Sequence, residues 1–419
     1  VNSEDVSKGD VEAGSKARGR IVTTDWTAEK YEASDPYGCQ AGLTEADGSG
    51  EVRRAKAGHR QSRRSLVRNL QLEVERFEMN AEELFCTARM LVADHKGLLA
   101  MDESNPTCNK RFARLGIPQT VEARRDYREL IVTTPGLGEY ISGAILYDET
   151  IRQNKMDGTP FVQVLTEAGI IPGIKVDTGA KDMAGHPGEK ITEGLDGLRD
   201  RLREYSKMGA RFAKWRAVIT VGDGLPSRGC IEANAQALAR YAALCQEGGL
   251  VPVIEPEVLM EGSHSLESCC DVTEEVLREV FNQLYNQRVN LQGMILKPNM
   301  VLPGLIFPRQ EDVEEVADAT VNCLLRAVPA AVPGIAFLSG GQPGELASAR
   351  LNAMNVRFKS RMPWGLAFSF ARAIQQPALE LWQGKEVHVL AAQQALYHRA
   401  KCNAAARRGA YNTAMEKGR

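Results

Sequence analysis

The chain has 419 residues, 43% of them hydrophobic, and a formal net charge of −2 at pH 7. So balanced a charge argues against a dedicated nucleic-acid binder, whose domain is normally clearly basic. No apolar run approaches the roughly 18 residues of a membrane span, so neither nucleic acid nor membrane is an expected partner.

Residues 1–79 stand apart in composition. The first fifty are rich in Gly, Ser, Ala, Asp and Glu without amphipathic periodicity, and RRAKAGHRQSRRSLVR (53–68) is strongly basic. Such charge blocks predict a disordered, solvated extension. The Arg/Ser-rich segment resembles part of a transit peptide, although the acidic residues ahead of it do not fit one. Val1 stands where a translated chain carries methionine, so upstream residues are expected.

From residue 80 the pattern becomes that of a globular domain, 80–419. NAEELFCTARMLVADHKG predicts a helix, and eight apolar runs then alternate with amphipathic stretches. The runs are GLLAM (97–101), GAILY (143–147), GIKV (173–176), FAKW (212–215), LVPVI (250–254), GMILK (293–297), GIAFLS (334–339) and GLAFSF (365–370). Between them GLDGLRDRLREYSKMG, IEANAQALARYAALCQEGG and EDVEEVADATVNCLLRAV repeat apolar residues at helical spacing, and 387–408 predicts a last helix. Eight strands alternating with helices predict an α/β fold, a single-domain (β/α)8 TIM barrel.

Strands of a parallel barrel are covered on both faces and should be almost wholly apolar. Here their C-terminal ends carry charge: Asp102 and Glu103 after strand 1, Lys175 and Asp177 on strand 3, Lys214 and Arg216 on strand 4, Glu255 and Glu257 on strand 5, Lys297 after strand 6. Residues two apart share a strand face, so Lys214 with Arg216, and Glu255 with Glu257, are expected to point into the barrel mouth. That end of this fold hosts active sites.

Metals are not expected there. The histidines (His59, His95, His186, His264, His388, His398) are dispersed. The nine cysteines (Cys39, Cys86, Cys108, Cys230, Cys245, Cys269, Cys270, Cys323, Cys402) include no C-x-x-C pair, which suggests a reducing compartment. Lysines and carboxylates without a metal or other cofactor suit imine chemistry. A lysine among cations and apolar walls has a lowered pKa and attacks a carbonyl as the neutral amine. The iminium is an electron sink for C–C cleavage, and carboxylates supply the proton transfers.

Two anion sites are predicted beside these groups. FLSGGQPGELASA places Ser339, Gly340 and Gly341 between strand 7 and a helix, with Arg372 just after strand 8. Ser104 and Thr107, beside Lys110 and Arg111, suggest the second. Two such sites imply a bisphosphorylated sugar.

The motifs GLLAMDES, GIKVDTG, FAKWR, VIEPE, LKPNM, PGIAFLSGGQ and LNAMN resemble those of class I fructose-1,6-bisphosphate aldolases, over residues 80 to about 411. The resemblance implies a Schiff base on Lys297, with Glu255 as main general acid and base and Glu257 in support. Asp102 would handle the C4-hydroxyl proton, and Lys214 would stabilise charge beside the imine. Lys175, Arg216, Ser104 and Thr107 would hold the substrate and its 6-phosphate; Ser339, Gly340, Arg372 and the N–H of Ala371 would hold the 1-phosphate. It further implies a homotetramer acting on sugar phosphates, in glycolysis, gluconeogenesis or the Calvin cycle.

Three departures qualify this. Ser369-Phe370-Ala371-Arg372 and TPGLGEYISGAILYDET (134–150) resemble the plant plastid-type form more than the animal one, which suggests a plastid stroma rather than the cytoplasm. The sequence ends YNTAMEKGR, without the family's terminal tyrosine, so slower proton exchange on the bound triose is expected. A transaldolase is disfavoured by the two phosphate sites. A non-catalytic scaffold derived from an aldolase would need a lost catalytic group, and every expected one is present.

Overall fold

The computed structural model describes residues 81–417 except Asp94, so the expected extension over 1–79 lies outside the described residues. Residues 81–91 form helix α1. There follow β1 (Gly97–Ala100), α2 (Asn105–Ala113), α3 (Val121–Val132), β2 (Ile141–Leu146), a single turn α4 (Asp148–Ile151), α5 (Phe161–Glu167), β3 (Ile171–Lys175), β4 (Gly179–Asp182) and β5 (Lys190–Glu193). The second half runs α6 (Leu198–Lys207), β6 (Phe212–Ile219), α7 (Arg228–Glu247), β7 (Val251–Val258), α8 (Leu266–Asn286), β8 (Ile295–Leu296), α9 (Val313–Ala327), β9 (Gly334–Phe337), α10 (Gly344–Phe358), β10 (Gly365–Phe370), α11 (Arg372–Trp382) and α12 (Val389–Arg408).

Eight of these strands close a parallel barrel in the order β1-β10-β9-β8-β7-β6-β3-β2. The expected (β/α)8 architecture is thus present. The remaining pair, β4 and β5, is an antiparallel hairpin on the excursion between β3 and α6. The sequence reading missed it for a physical reason: β4 is mostly exposed and polar, so it carries no apolar run. The sixth predicted run shortens to Ile295–Leu296. Residues Leu291–Gly293 wind into a 3-10 turn, and Pro298, just beyond Lys297, has no N–H to extend the ladder.

Helix starts follow ordinary capping chemistry. Ser227 and Ser265 cap α7 and α8, and Asp312 with Glu315 forms a reciprocal capping box on α9.

Packing divides into two shells. Leu98, Ala100, Ile145, Phe212, Val251, Val253, Ile295, Ala336 and Ala367 fill the barrel interior, and Leu84, Ala88 and Leu91 of α1 join them. Those three recur at i, i+4 and i+7, one helix face, which plugs the N-terminal end of the barrel. The approach is close enough that a Cβ on Gly143 would sit 2.8 Å from Leu91 Cδ2. Outward residues such as Leu99, Ala213, Trp215 and Ile254 pack in the larger shell between strands and helices.

Candidate active site

The barrel interior changes character along its axis, and the two-residue period of a strand makes the change legible. On β6, Phe212 lies in the inner core, then Lys214 and Arg216 follow on the same face, while Ala213, Trp215 and Ala217 face outward. On β7 the inward column is Val251, Val253, Glu255, Glu257. Leu98 and Ala100 lead to Asp102, and Ile295 leads to Lys297. Each column therefore starts apolar at the plugged end and becomes charged at the C-terminal mouth.

There the charges form a row of alternating sign. Asp102 Oδ2 lies 2.7 Å from Lys214 Nζ, which lies 2.9 Å from Glu255 Oε2. Glu255 Oε1 lies 3.0 Å from Lys297 Nζ. Lys214, Glu255 and Lys297 are each only 3% exposed, so these contacts are weakly screened. The Lys297 N–H donates to the Ile254 carbonyl at 2.8 Å, which fixes its Cα against β7.

Electrostatics holds Asp102, Glu255 and Lys214 ionised. Burial opposes charge on Asp102, but the Coulombic pull of Lys214 and then Lys297 carries its carboxyl well below the usual carboxylate range. Glu255 is likewise lowered: burial opposes, and Lys214, Lys297 and Arg216 prevail. Lys214 loses solvation too, yet Asp102 and Glu255 raise its ammonium well above the ordinary lysine value. It is a fixed cation between two carboxylates. Glu255 Oε2 makes no aligned hydrogen bond although it faces this cation, so charge rather than directional bonding restrains it.

A second tier lies nearer solvent. Arg216 Nε contacts Glu257 Oε2 at 2.5 Å, and Lys175 Nζ contacts Asp177 Oδ1 at 2.5 Å. Asp177 Oδ2 also accepts the Arg216 N–H at 3.2 Å, tying β3 to β6 at the rim.

Two anion-receptive features flank the row. Ser104 is the extended N-cap of α2 but makes no side-chain cap bond; its hydroxyl instead lies 3.1 Å from that of Thr107. The first turn of α2 carries no acidic residue of its own, and its N-terminal dipole favours an anion. After β9, Gly340 and Gly341 take φ of 57° and 91°, in the left-handed region that favours glycine. A Cβ on Gly341 would sit 3.0 Å from Arg372 Nη2, so the missing side chain lets the guanidinium lie over the turn. Ala371 precedes α11, whose first turn is also free of acidic residues.

One cavity of about 790 Å³ at the mouth is lined by Lys297, Glu255, Asp102, Lys214 and Glu257, and by Ser104, Thr107, Lys175, Arg216, Ser339, Gly340, Ala371 and Arg372. Every site residue expected from sequence thus borders a single space. Glu103 has a different part. It follows Asp102 directly, and its carboxylate pairs with Arg128 at 2.8 Å and Arg111 at 2.5 Å and accepts from Gln375 at 2.9 Å. Arg111 is consequently already paired. Sequence reasoning noted the charge of Asp177 without placing it among the site residues; its i+2 spacing from Lys175 was the available signal. Tyr147, Arg114 and Gln376 also line the cavity; Tyr147 ends the apolar run GAILY, and the other two carried no motif.

Tyr411 packs elsewhere, its hydroxyl 2.9 Å from Glu416. Among the described residues, one three-membered group has ligand-like spacing, His398, Cys402 and Glu416, and it lies outside the cavity lining.

The sequence model of the family described as fructose-bisphosphate aldolase class-I matches residues 83–419. The chain is 57% identical over 332 residues to a probable fructose-bisphosphate aldolase class 1 of Xanthomonas axonopodis pv. citri, covering 79% of this chain and 99% of that protein. It is 50% identical over 331 residues to the cytosolic fructose-bisphosphate aldolase 6 of Arabidopsis thaliana, covering 79% and 92% of the two. With the chloroplastic aldolase 3 of that plant the identity is 48% over 336 residues, covering 80% and 85%. Among solved structures, the aldolase of Plasmodium falciparum, crystallised with TRAP and a small-molecule inhibitor, is 46% identical with a TM-score of 0.78, covering 80% of this chain and 96% of that one.

Proposed function

The chain belongs to the class I fructose-bisphosphate aldolase family, and from that premise we propose that Lys297 is the amine on which its aldol cleavage runs. The chain is a lyase with class I fructose-bisphosphate aldolase activity. The observation that carries the assignment of roles is the buried row Asp102, Lys214, Glu255, Lys297.

Lys297 attacks the C2 carbonyl of the ketose bisphosphate, and Glu255, 3.0 Å from its Nζ, takes the proton that the amine sheds. The same carboxyl then returns a proton to the carbinolamine hydroxyl, which leaves as water and gives the iminium. Asp102, kept ionised by Lys214, accepts the C4-hydroxyl proton as the C3–C4 bond breaks. The bonding pair moves into the iminium to give an enamine, and glyceraldehyde 3-phosphate departs. Protonation at C3 and hydrolysis release dihydroxyacetone phosphate and regenerate Lys297. Lys214 stabilises negative charge on either side of it throughout, a fixed electrostatic role. Glu257 holds Arg216 in place.

Phosphates anchor the substrate at both ends. Ser339, Gly340, Ala371 and Arg372 receive the 1-phosphate; Ser104 and Thr107 at α2, with Lys175 and Arg216, receive the 6-phosphate. Borohydride reduction in the presence of dihydroxyacetone phosphate, followed by peptide mapping, tests the assignment. An adduct on Lys297 is expected; an adduct on Lys214, or none, overturns it.

The enzyme acts as a homotetramer in the plastid stroma, serving the Calvin cycle. Support for the compartment comes from the basic block 53–68 and from Ser369-Phe370-Ala371-Arg372. A fluorescent fusion of the complete transcript product locating to the cytosol would overturn it, and light scattering of the purified enzyme checks the tetramer.

A further inference from the structure

The segment that carries Lys297 is laced to two helices. Asn299 Oδ1 accepts the Val258 N–H at 3.0 Å, and Asn299 Nδ2 donates to Thr273 Oγ1 of α8 at 3.1 Å. The Val301 N–H donates to Thr320 Oγ1 of α9 at 2.9 Å, and the Leu302 N–H to Cys269 Sγ of α8 at 3.4 Å. The residues that hold this strap thus lie on one turn of α8 and one turn of α9.

A pair of cysteines sits on those same turns. Cys270, half-buried on α8, precedes Thr273 by three residues; buried Cys323 on α9 follows Thr320 by three. Cys323 Sγ lies 3.7 Å from the Cys270 carbonyl oxygen, and its thiol interacts with the Cys270 side chain. Arg326 Nη2 approaches Cys270 Sγ at 3.3 Å, and Glu274 fixes that guanidinium at 2.5 Å from its Nε. The Cys323 thiol first, and then Arg326 against the opposing effect of burial, draw the Cys270 thiol down to about 7. A partly exposed thiolate beside a guanidinium is the nucleophilic form of cysteine, and a buried thiol in contact with it can act as the resolving partner.

We propose that Cys270 and Cys323 form a thiol–disulfide exchange site that takes a low-molecular-weight peptide disulfide and ends as an intramolecular bond between α8 and α9. The Cys270 thiolate attacks one sulfur of the oxidant; an S–S bond to Cys270 forms and one thiolate leaves. Cys323, whose interaction with Cys270 and burial hold its thiol protonated at rest, passes its proton to the thiolate released in the first step and attacks the Cys270 sulfur, expelling the second thiolate. Two protein thiols are oxidised by two electrons, and one disulfide is reduced to two thiols. Cross-linking draws together the turns that hold the Asn299–Leu302 strap and so displaces Lys297 from Glu255. A small misplacement of reacting groups costs roughly ten- to a hundredfold in rate.

Oxidised glutathione applied to the full chain, with peptide mapping by mass spectrometry under non-reducing conditions, tests this. Expected is a Cys270–Cys323 linked peptide, a cleavage rate lowered at least about tenfold, and recovery of both on adding dithiothreitol. C270S and C323S each should keep the basal rate, lose the linked peptide and resist inactivation; C270S, at a half-buried position, leaves the core intact should C323S fold poorly. A link from Cys269 instead, glutathione retained on Cys270 with Cys323 unreacted, or a linked enzyme that cleaves at the unmodified rate overturns the proposal. The mass readout does not depend on which lysine forms the imine, so failure here and failure of the Lys297 assignment are separable.

Discussion

Glu255 meets Lys297 through one carboxylate oxygen, at 3.0 Å, while its other oxygen rests 2.9 Å from the ammonium of Lys214. One buried carboxylate is therefore shared between a lysine held permanently charged and a lysine positioned to react. This asymmetry lets two chemically identical side chains take different parts.

Replacing Lys297 by methionine removes the reacting amine but leaves Glu255 its contact with Lys214. Borohydride trapping should vanish and turnover should fall by on the order of 10⁴-fold or more. Urea unfolding should show the smaller stability loss of the two lysine variants, because no buried carboxylate loses its last cation.

Lys214→Met should be the more damaging to the fold. It strips Asp102 of its closest cation and leaves that carboxylate buried, a change that costs about 3–5 kcal/mol. Unfolding curves of the two lysine variants, measured side by side, check the order.

Glu255→Gln keeps the shape but removes the proton carrier. Turnover and the rate of imine trapping should both fall by about 10²–10⁴-fold, with the circular-dichroism spectrum unchanged. Trapping at the wild-type rate would assign the proton transfer to another group.

The pH response follows from signs. Asp102 and Glu255 have folded pKa values below their unfolded ones, so their contribution to stability is present above about pH 4 and is lost as the pH falls through the folded values. Lys214 is raised, so its contribution is complete below about pH 10.4 and is lost only as the pH rises through a still higher folded value. Stability should therefore be flat with respect to these groups across neutral pH. In Lys214→Met the largest influence lowering Glu255 disappears, and burial should shift the acid limb of its residual trapping rate toward neutral pH.

Arg372→Ala should raise KM for the bisphosphate by roughly tenfold or more, the scale of one to a few kcal/mol for a charged hydrogen bond, with a smaller change in kcat. Steady-state kinetics, and weaker competitive inhibition by inorganic phosphate, check it.

Much of this site could be read from the chain because a barrel strand obeys two simple rules. Both faces are covered, so a charge is conspicuous, and residues two apart share a face. Lys214 with Arg216 and Glu255 with Glu257 were placed that way. The same period separates Asp102 from Glu103, since adjacent residues face opposite sides, and the partners of Glu103 lie on α2, α3 and α11. What the chain did not disclose were features without an apolar period or a motif. The β4–β5 hairpin is built mostly from polar residues, and Arg114 at the end of α2 and Gln376 on α11 reach the cavity from helices whose spacing says nothing about direction. The partners that keep Lys214 charged lie 112 residues before it and 41 after it in sequence, and only the closed ring brings them together.

The apolar plug of Leu84, Ala88 and Leu91 has a kinetic corollary. Among the described residues it fills the N-terminal end of the barrel, so substrate, expelled water and both products use the C-terminal mouth. The ketone-derived fragment stays covalently attached while the aldehyde is already free. Departure is thereby ordered: the aldehyde leaves first, past a rim still gripping the other phosphate, and the triose tethered to Lys297 leaves last.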